Sequence, residues 1–302
     1  MDKYAALDLG TNTFHLLIAS FDNEGRLIEH YRKRHYIYLA KDGIEKISDQ
    51  AYERAITCIK EFSNVLKDHN LVGITCSGTA ALRTATNGTT LVREIKEISG
   101  IEVDVIDGIT EARYIYDGVS LALPRMKQGN FLIMDIGGGS VEFIVIKDGH
   151  FFWSNSYPIG IAVLKREYHL TEPIARDEVI LINQFIRDNI AKLTYVCRGM
   201  HFESLVGASG SFEVLAGISE CDDNALSKKI ALDNFEDLYE ELIPLDLQER
   251  LKRSDIPDNR AHLIVVAFQL IHYLLTQIKC DNIIVSKYAM KEGMLSQLAQ
   301  KL

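Results

Sequence analysis

No two cysteines in this 302-residue chain are spaced C-x-x-C; Cys58, Cys76, Cys197, Cys221 and Cys280 are scattered and odd in number. That excludes a disulfide framework and a zinc knuckle, and it fits a reducing compartment where lone thiols pack as small apolar groups. A positive excess is also missing. Lys and Arg number 33 against 42 Asp and Glu, a formal charge of -9. Such a chain lacks the broad basic face of a general nucleic-acid binder, so a polyanionic ligand needs local cations, backbone amides or metal. Long apolar runs are absent too: residues 263–275 are interrupted by Gln269 and His272 and are too short to cross a bilayer. The opening residues lead directly into a strand-like run that begins at Tyr4, so no signal peptide is expected. The expectation is a soluble cytoplasmic protein with neither nucleic acid nor membrane among its partners. At this length, with no low-complexity segment or long linker, two domains are favoured over one.

What the chain does contain is a repeat. "LDLGTNTFHLLI" (residues 7–18) aligns without gaps on "MDIGGGSVEFIV" (residues 134–145) at a constant offset of 127. Asp8 falls on Asp135, Gly10 on Gly137, Thr13 on Ser140 and His15 on Glu142. Each copy reads as strand, tight turn and second strand, followed by a turn signal and a third strand. Two copies, one near the start of each half, predict two related α/β domains. Between and after them, helical spacing predicts helices at residues 52–66, 92–98, 111–119, 161–168 and 176–198. Short strands are expected at residues 72–76, 101–106, 204–206 and 282–285, and the remainder up to Arg253 reads as mainly helical.

Glycine and small hydroxyl residues between two strands let backbone N–H groups converge on an anion. An Asp ending the first strand can hold a divalent cation beside that anion. Glu142, two residues past Ser140 on the outgoing strand, alternates to the same face as Ser140. Asp135 and Glu142, costly in an apolar strand, are then tolerated because they line a metal–phosphate site. The competing account of either copy alone is a glycine-rich hairpin whose Asp caps its own turn; the duplication favours function.

These segments, with "TAALRTATN" (residues 79–87) and "DGITEARYIYDGV" (residues 107–119), resemble the exopolyphosphatase / guanosine pentaphosphate phosphohydrolase (Ppx/GppA) family in order and spacing. The resemblance covers nearly the whole chain and implies the short, two-domain form of the actin/hexokinase/Hsp70 superfold. That is an α/β fold of two duplicated actin-like (ribonuclease H-like) domains with a cleft between them. It places domain I at residues 1–121, with a C-terminal helix at about 290–302 packing back on it, and domain II at 122–289.

The resemblance implies roles residue by residue. Gly10, Thr11, Asn12 and Thr13 match the first phosphate loop; Gly137, Gly138, Gly139 and Ser140 match the second. Asp8, Asp135 and Glu142 match metal-associated carboxylates, the ion being Mg2+. Arg83 matches an arginine that pairs with substrate phosphate, and Glu111 a catalytic base that activates water. Gly207, Ser209, Gly210 and Ser211 form another small-residue turn, placed where related folds touch a nucleoside or distal phosphate. The alternatives are ordinary: a surface arginine, a first-turn glutamate favoured by the helix dipole, a structural His15. The basic run "HYRKRHY" (residues 30–36) reads as a charged sheet edge, with a polyphosphate track as the rival account.

The second half departs from the family pattern. Arg260 and Ala261 are followed by no glycine, and Ser286, Lys287, Tyr288 and Lys291 replace an acidic-glycine step and an arginine; in the first half, Tyr38, Leu39 and Ala40 replace a more basic, glycine-containing segment. The departures touch distal recognition rather than chemistry. The resemblance therefore implies a magnesium-dependent exopolyphosphatase that removes terminal orthophosphate from inorganic polyphosphate. Its alternatives are a guanosine pentaphosphate (pppGpp) 5′-phosphohydrolase and a non-catalytic pppGpp/ppGpp sensor. The ligand is inorganic polyphosphate or guanosine pentaphosphate, and a homodimer is compatible with the short form.

Overall fold

The structure is a computed structural model that describes residues 1–218 and 226–302. Of the cysteines, Cys221 lies outside the described residues. The chain divides into two compact units. One comprises Met1–Leu121, Gly137–Gly139 and Tyr288–Leu302; the other comprises Ala122–Ile136 and Ser140–Lys287.

The first unit opens with β1 (Lys3–Leu9), β2 (Thr13–Phe21) and β3 (Leu27–Tyr36), followed by α1 (Asp49–Lys67) and β4 (Leu71–Gly78). It continues through α2 (Ala80–Thr84), α3 (Gly88–Ser99), β5 (Asp104–Val105) and α4 (Gly108–Ala122), whose last residue belongs to the second unit. The sheet order is β3-β2-β1-β4-β5, with β1 antiparallel to β2 and parallel to β4. The turn after β2 is set by Asp22, whose carboxylate accepts from the N–H groups of Glu24 and Arg26 at 2.9 Å each.

Alternation gives this sheet two different faces. Ala5, Leu7, Leu9, Phe14, Leu16 and Ile18 are buried with Ala55, Ile59 and Phe62 of α1 and Leu91 and Ile95 of α3. The other face carries Tyr4, Ala6 and Asp8. Gly73, the β4 partner of Tyr4, lies directly under Leu298 of the C-terminal helix (Met290–Lys301) and Leu302, which caps it. That helix crosses α4 backbone to backbone: a Cβ on Gly118 would stand 1.8 Å from the Ala289 carbonyl oxygen, and one on Gly293 1.8 Å from that of Tyr114. Gln297 Nε2 donates to Asp117 at 2.7 Å alongside.

The second unit contains β6 (Phe131–Ile136), β7 (Val141–Lys147) and β8 (His150–Tyr157), then α5 (Ile161–Tyr168), α6 (Arg176–Asn189) and α7 (Ala191–Val196). Next come β9 (His201–Phe202), β10 (Ser204–Ala208), α8 (Gly210–Ile218), β11 (Ser227–Ala231), α9 (Leu232–Leu242), α10 (Leu247–Leu251) and α11 (Asp258–Ala261). It closes with α12 (Ile264–Gln277), β12 (Lys279–Cys280) and β13 (Asn282–Ser286). The larger sheet runs β11-β13-β10-β6-β7-β8, so β6 stands antiparallel to β7 and parallel to β10, as β1 does to β2 and β4. Asp148 and Gly149, both at positive φ (50° and 77°), make the two-residue turn joining β7 to β8. All of β6 is buried, and α12 presents its apolar length to the core it shares with Phe143, Phe212 and Phe235.

The α/β class and the repeated hairpin frame are those expected from the sequence. Four local expectations need correction. The strand expected at 101–106 pairs only at Asp104 and Val105; Ile101 and Ile106 are buried by packing instead of ladder bonds. The helix expected at 176–198 breaks at Ile190, where Asn189 turns its amide back onto the Phe185 carbonyl at 2.9 Å. The stretch expected to be mainly helical contains β11, a lysine-bearing edge strand of which only Ile230 is well buried. In the small-residue turn, Gly207 and Ala208 still belong to β10, and α8 begins at Gly210.

A buried charge network ties α5, α10 and the loop before α6 together. Arg250 is fully buried; its Nη2 meets Glu172 at 2.7 Å, and its Nε and Nη1 donate to the Ala261 and Leu245 carbonyls. Lys165 Nζ and His169 Nε2 stand 3.2 and 3.5 Å from the same glutamate. Burial pushes Glu172 up, but the Arg250 hydrogen bond and charge outweigh it and hold the carboxyl below its ordinary range. Burial, with the Lys165 charge, pushes His169 down. The thiols of Cys58, Cys76 and Cys197 are buried and free, and burial pushes all three up, Cys58 and Cys197 to about 12.

Candidate active site

Each unit assembles its own part of the expected set. In the first, Asp8, next to last in β1, has His15 of β2 on one side and Ser77 of β4 on the other, in register. His15 lies beside Arg34 of β3 in the same row. His15 Nε2 meets Thr13 Oγ1 at 2.9 Å, which ties the imidazole to the turn. The turn itself closes by the Gly10 N–H donating to the Thr13 carbonyl at 3.0 Å. Gly10 therefore serves the turn's own geometry, and its N–H is engaged there.

Thr11 and Asn12 are packed closely. Thr11 Oγ1 accepts from the Ala81 N–H at 3.3 Å, at the start of α2. Gly138 and Gly139, of the second turn, lie against this first turn. A Cβ on Gly138 would come within 2.6 Å of the Asn12 side chain; one on Gly139 would meet Ile44 Cδ1 at 2.7 Å and Thr11 Oγ1 at 3.0 Å. Gly138 and Gly139 are thus required by close approach, independently of any ligand.

Two residues beyond Ala81, the Arg83 guanidinium donates through Nη1 to the Ile106 carbonyl at 2.5 Å and reaches Glu111 Oε2 at 3.4 Å. Glu111 sits in the first turn of α4 and is buried, with 7% of its surface exposed. First-turn placement suits a carboxylate next to the helix dipole, and the arginine makes that burial tolerable. A group able to bind phosphate and a group able to take a proton stand in contact. The basic run at residues 30–36 is largely engaged: Arg32 pairs with Glu29 and the fully buried Glu292, Lys33 pairs with Glu61, and His35 Nε2 lies 3.0 Å from the same Glu61. This agrees with a charged sheet edge.

In the second unit, Asp135 and Glu142 are direct partners across β6 and β7, at 8% and 1% exposure. Ser156 of β8, the register partner of Glu142, donates its hydroxyl to Oε1 at 2.6 Å. Asp135 is flanked on its other side by Ala208 of β10. Ser140 is buried. Ser209, at φ 72°, directs its hydroxyl to the Ile136 carbonyl at 2.9 Å, ahead of the second turn. Gly207 is packed under the Phe212 ring, and Gly210 lies flat against the Arg260 guanidinium; Ser211 is buried behind them.

Among the described residues, no group of three or more His, Cys, Asp and Glu side chains could hold a metal ion by itself. Magnesium asks for less: it takes one or two carboxylates and keeps several waters. Two buried carboxylates side by side fit that demand, since like charges directly opposite each other are otherwise unfavourable. The geometry brings in three residues to which the sequence assigns no role. Ser156 was detectable as the third strand's register partner of Glu142. Arg260, within "NRA", had a motif signal but no evident target. Arg54 of α1, described below, had no signal at all.

Three comparisons bear on this arrangement. The profile of the Ppx/GppA phosphatase family matches residues 25–302. A curated relative from Photobacterium profundum, a guanosine-5′-triphosphate,3′-diphosphate pyrophosphatase, is 24% identical over 99% of this chain, which spans 60% of that relative's length. The crystal structure of an exopolyphosphatase from Cytophaga hutchinsonii superposes with a TM-score of 0.93 at 32% identity, covering 100% of this chain and 99% of the other. An Aquifex aeolicus Ppx/GppA structure shares the fold, with a TM-score of 0.83 at 24% identity over 99% of this chain and 98% of its own. No helix among the described residues is long and apolar enough to cross a membrane.

Proposed function

The chain belongs to the Ppx/GppA phosphatase family, and on that premise we propose that it is a cytoplasmic, magnesium-dependent exopolyphosphatase. The observation that carries the reading is the Arg83–Glu111 contact at 3.4 Å, beside a turn built from Gly10, Thr11, Asn12 and Thr13. The terminal phosphate of the chain substrate binds at that turn and takes the Arg83 guanidinium. Glu111, released from the arginine, accepts a proton from water as the water oxygen bonds to the terminal phosphorus. The bridging P–O bond breaks, and the products are orthophosphate and a polyphosphate one unit shorter. Little covalent help is needed, because phosphoryl transfer depends on positioning and charge neutralisation. Asp135 and Glu142 are the residues that would hold magnesium, which when bound neutralises phosphate oxygens.

Inorganic polyphosphate is preferred as substrate because a relative at 32% identity, covered end to end, is an exopolyphosphatase. The pppGpp reading is favoured by the curated relative instead, at lower identity and over part of its length. Orthophosphate release with magnesium from long-chain polyphosphate, pppGpp and ATP, in parallel, separates them. Release from polyphosphate that collapses in Glu111→Ala supports the proposal. Release from pppGpp alone keeps the chemistry and changes the substrate. Silence on all three with retained ligand binding would point to a sensor.

A further inference from the structure

The carbonyls of the first turn are held from outside it. The Ile37 and Tyr38 N–H groups donate to the Asn12 carbonyl at 2.9 and 3.0 Å, and the Leu39 N–H donates to that of Thr11 at 2.8 Å. Two successive N–H groups converge on one oxygen only where the backbone turns sharply between them. Tyr38 supplies that turn at φ 53°, in the left-handed region that bulky side chains rarely enter. Backbone strain of this kind persists where the surroundings over-determine it.

Here the determining contact comes from α1. Arg54 Nε donates to the Ile37 carbonyl at 2.9 Å. That carbonyl and the Tyr38 N–H belong to one peptide group, so a single hydrogen-bond chain runs from Arg54 through the Ile37–Tyr38 peptide to Asn12. Each bond in such a chain polarises the next. Without the arginine, this peptide is free to flip, which would release Tyr38 from its strained φ and withdraw its N–H from Asn12. Arg54 is half-buried and borders a groove of about 490 Å³ that Gln50, Glu53, Thr57 and Glu61 also line.

We infer that Arg54 is a positioning residue for the first turn: it holds the Ile37–Tyr38 peptide in the orientation that fixes the Asn12 carbonyl, and so sets the turn that receives the terminal phosphate. The inference rests on the reading of that turn as the phosphate loop. The test compares the whole chain with Arg54→Met, which keeps side-chain length and loses the donor, Arg54→Lys, which keeps a donor, and Arg54→Met/Tyr38→Gly, which removes the strain. Arg54→Met should raise KM for polyphosphate about tenfold, with the smaller part of the effect on kcat, and speed amide exchange at residues 37–39 about tenfold. Arg54→Lys and the double variant should return both values to within about threefold of the original, glycine accepting φ 53° without strain. Faster exchange with unchanged KM would make Arg54 a structural residue only and overturn the inference, as would unchanged exchange. Wild-type protein silent on every substrate would sink the proposed activity. Positioning is then read from amide exchange at residues 10–13, which must quicken in Arg54→Met and recover in Arg54→Lys for the inference to stand.

Discussion

Across the first hairpin Asp8 faces His15; across the second, Asp135 faces Glu142. The two hairpins otherwise share a frame, each with its first strand lying between an antiparallel partner and a parallel strand, β4 for β1 and β10 for β6. An imidazole opposite a carboxylate is a tolerable pair in any protonation state, and here its Nε2 is already tied to Thr13. Two carboxylates opposite each other, both buried, are not tolerable without help. One scaffold, used twice, therefore carries different chemistry. The first unit carries the turn and the contact of Arg83 with Glu111, and the second carries the Asp135–Glu142 carboxylate pair.

The largest expected effect would place the base in the first unit. Glu111→Gln should lower kcat about 10²–10⁴-fold with little change in the thermal midpoint; a loss under about tenfold in orthophosphate release would remove Glu111 from that role. Next come the arginines of the ion pairs, which differ between the units in how deeply the arginine itself is buried. Arg250→Met should cost about 3–5 kcal/mol in denaturant unfolding, because Arg250 is fully buried and its loss leaves the Ala261 and Leu245 carbonyls without their donor as well as breaking the pair with Glu172. Arg32→Met should cost roughly 1–3 kcal/mol, since that arginine is partly exposed and Glu292 keeps Lys291 at 3.3 Å and the Ala289 N–H at 2.9 Å. Equal costs would mean that the depth of the arginine is irrelevant.

The hairpin comparison itself is sharpened by magnesium titration. Asp135→Asn should raise the magnesium needed for half activity by on the order of tenfold, and more than Asp8→Asn does; the reverse order would undo the division of labour drawn above. Acid should then weaken the second unit through the Glu172 network. Glu172 and His169 are both held below their ordinary values, so the folded state binds fewer protons than the unfolded one, and stability rises with pH. Their contribution is complete above the free histidine value near 6.5, declines below it as unfolded histidine charges, and falls further as pH drops below about 4.5 toward the folded carboxyl's value. His169→Gln should flatten the upper part of that decline in urea melts run across pH; an unchanged slope would contradict it. The smallest effect is at the sheet edge: Lys33→Ala, which loses only an exposed contact with Glu61 at 3.8 Å, should shift stability by less than about 0.5 kcal/mol and leave KM for polyphosphate unaltered. A rise in KM would revive the basic run as a substrate track.

Local pattern was enough to read both hairpins, α1 with its buried Ala55, Ile59, Phe62 and Leu66, and α5 to the residue. These elements bury what their own periodicity exposes, so pattern and structure agree. It failed where a neighbour decides. The lysines of β11 give no alternation to read, and that strand exists because β13 offers it an edge. Ile101 and Ile106 look like strand residues, yet they are satisfied by packing alone.

The candidate site divides the same way. Asp8, Asp135 and Glu142 could be named from the repeat, because residue type and register carry that information; Arg83 and Glu111 could be named only through the family resemblance of the segments that hold them. The contact of Arg83 with Glu111, the seating of Gly138 on Asn12 and the peptide held by Arg54 could not. They join segments distant along the chain whose meeting depends on how sheets and helices pack. By itself the sequence determined the duplicated α/β plan and the chemistry available, since periodicity and residue type are local properties. Only the tertiary structure decided which hydroxyls, carbonyls and glycines are already engaged in holding the turns, because a hydrogen bond or a close approach is set by distance in space rather than by order along the chain.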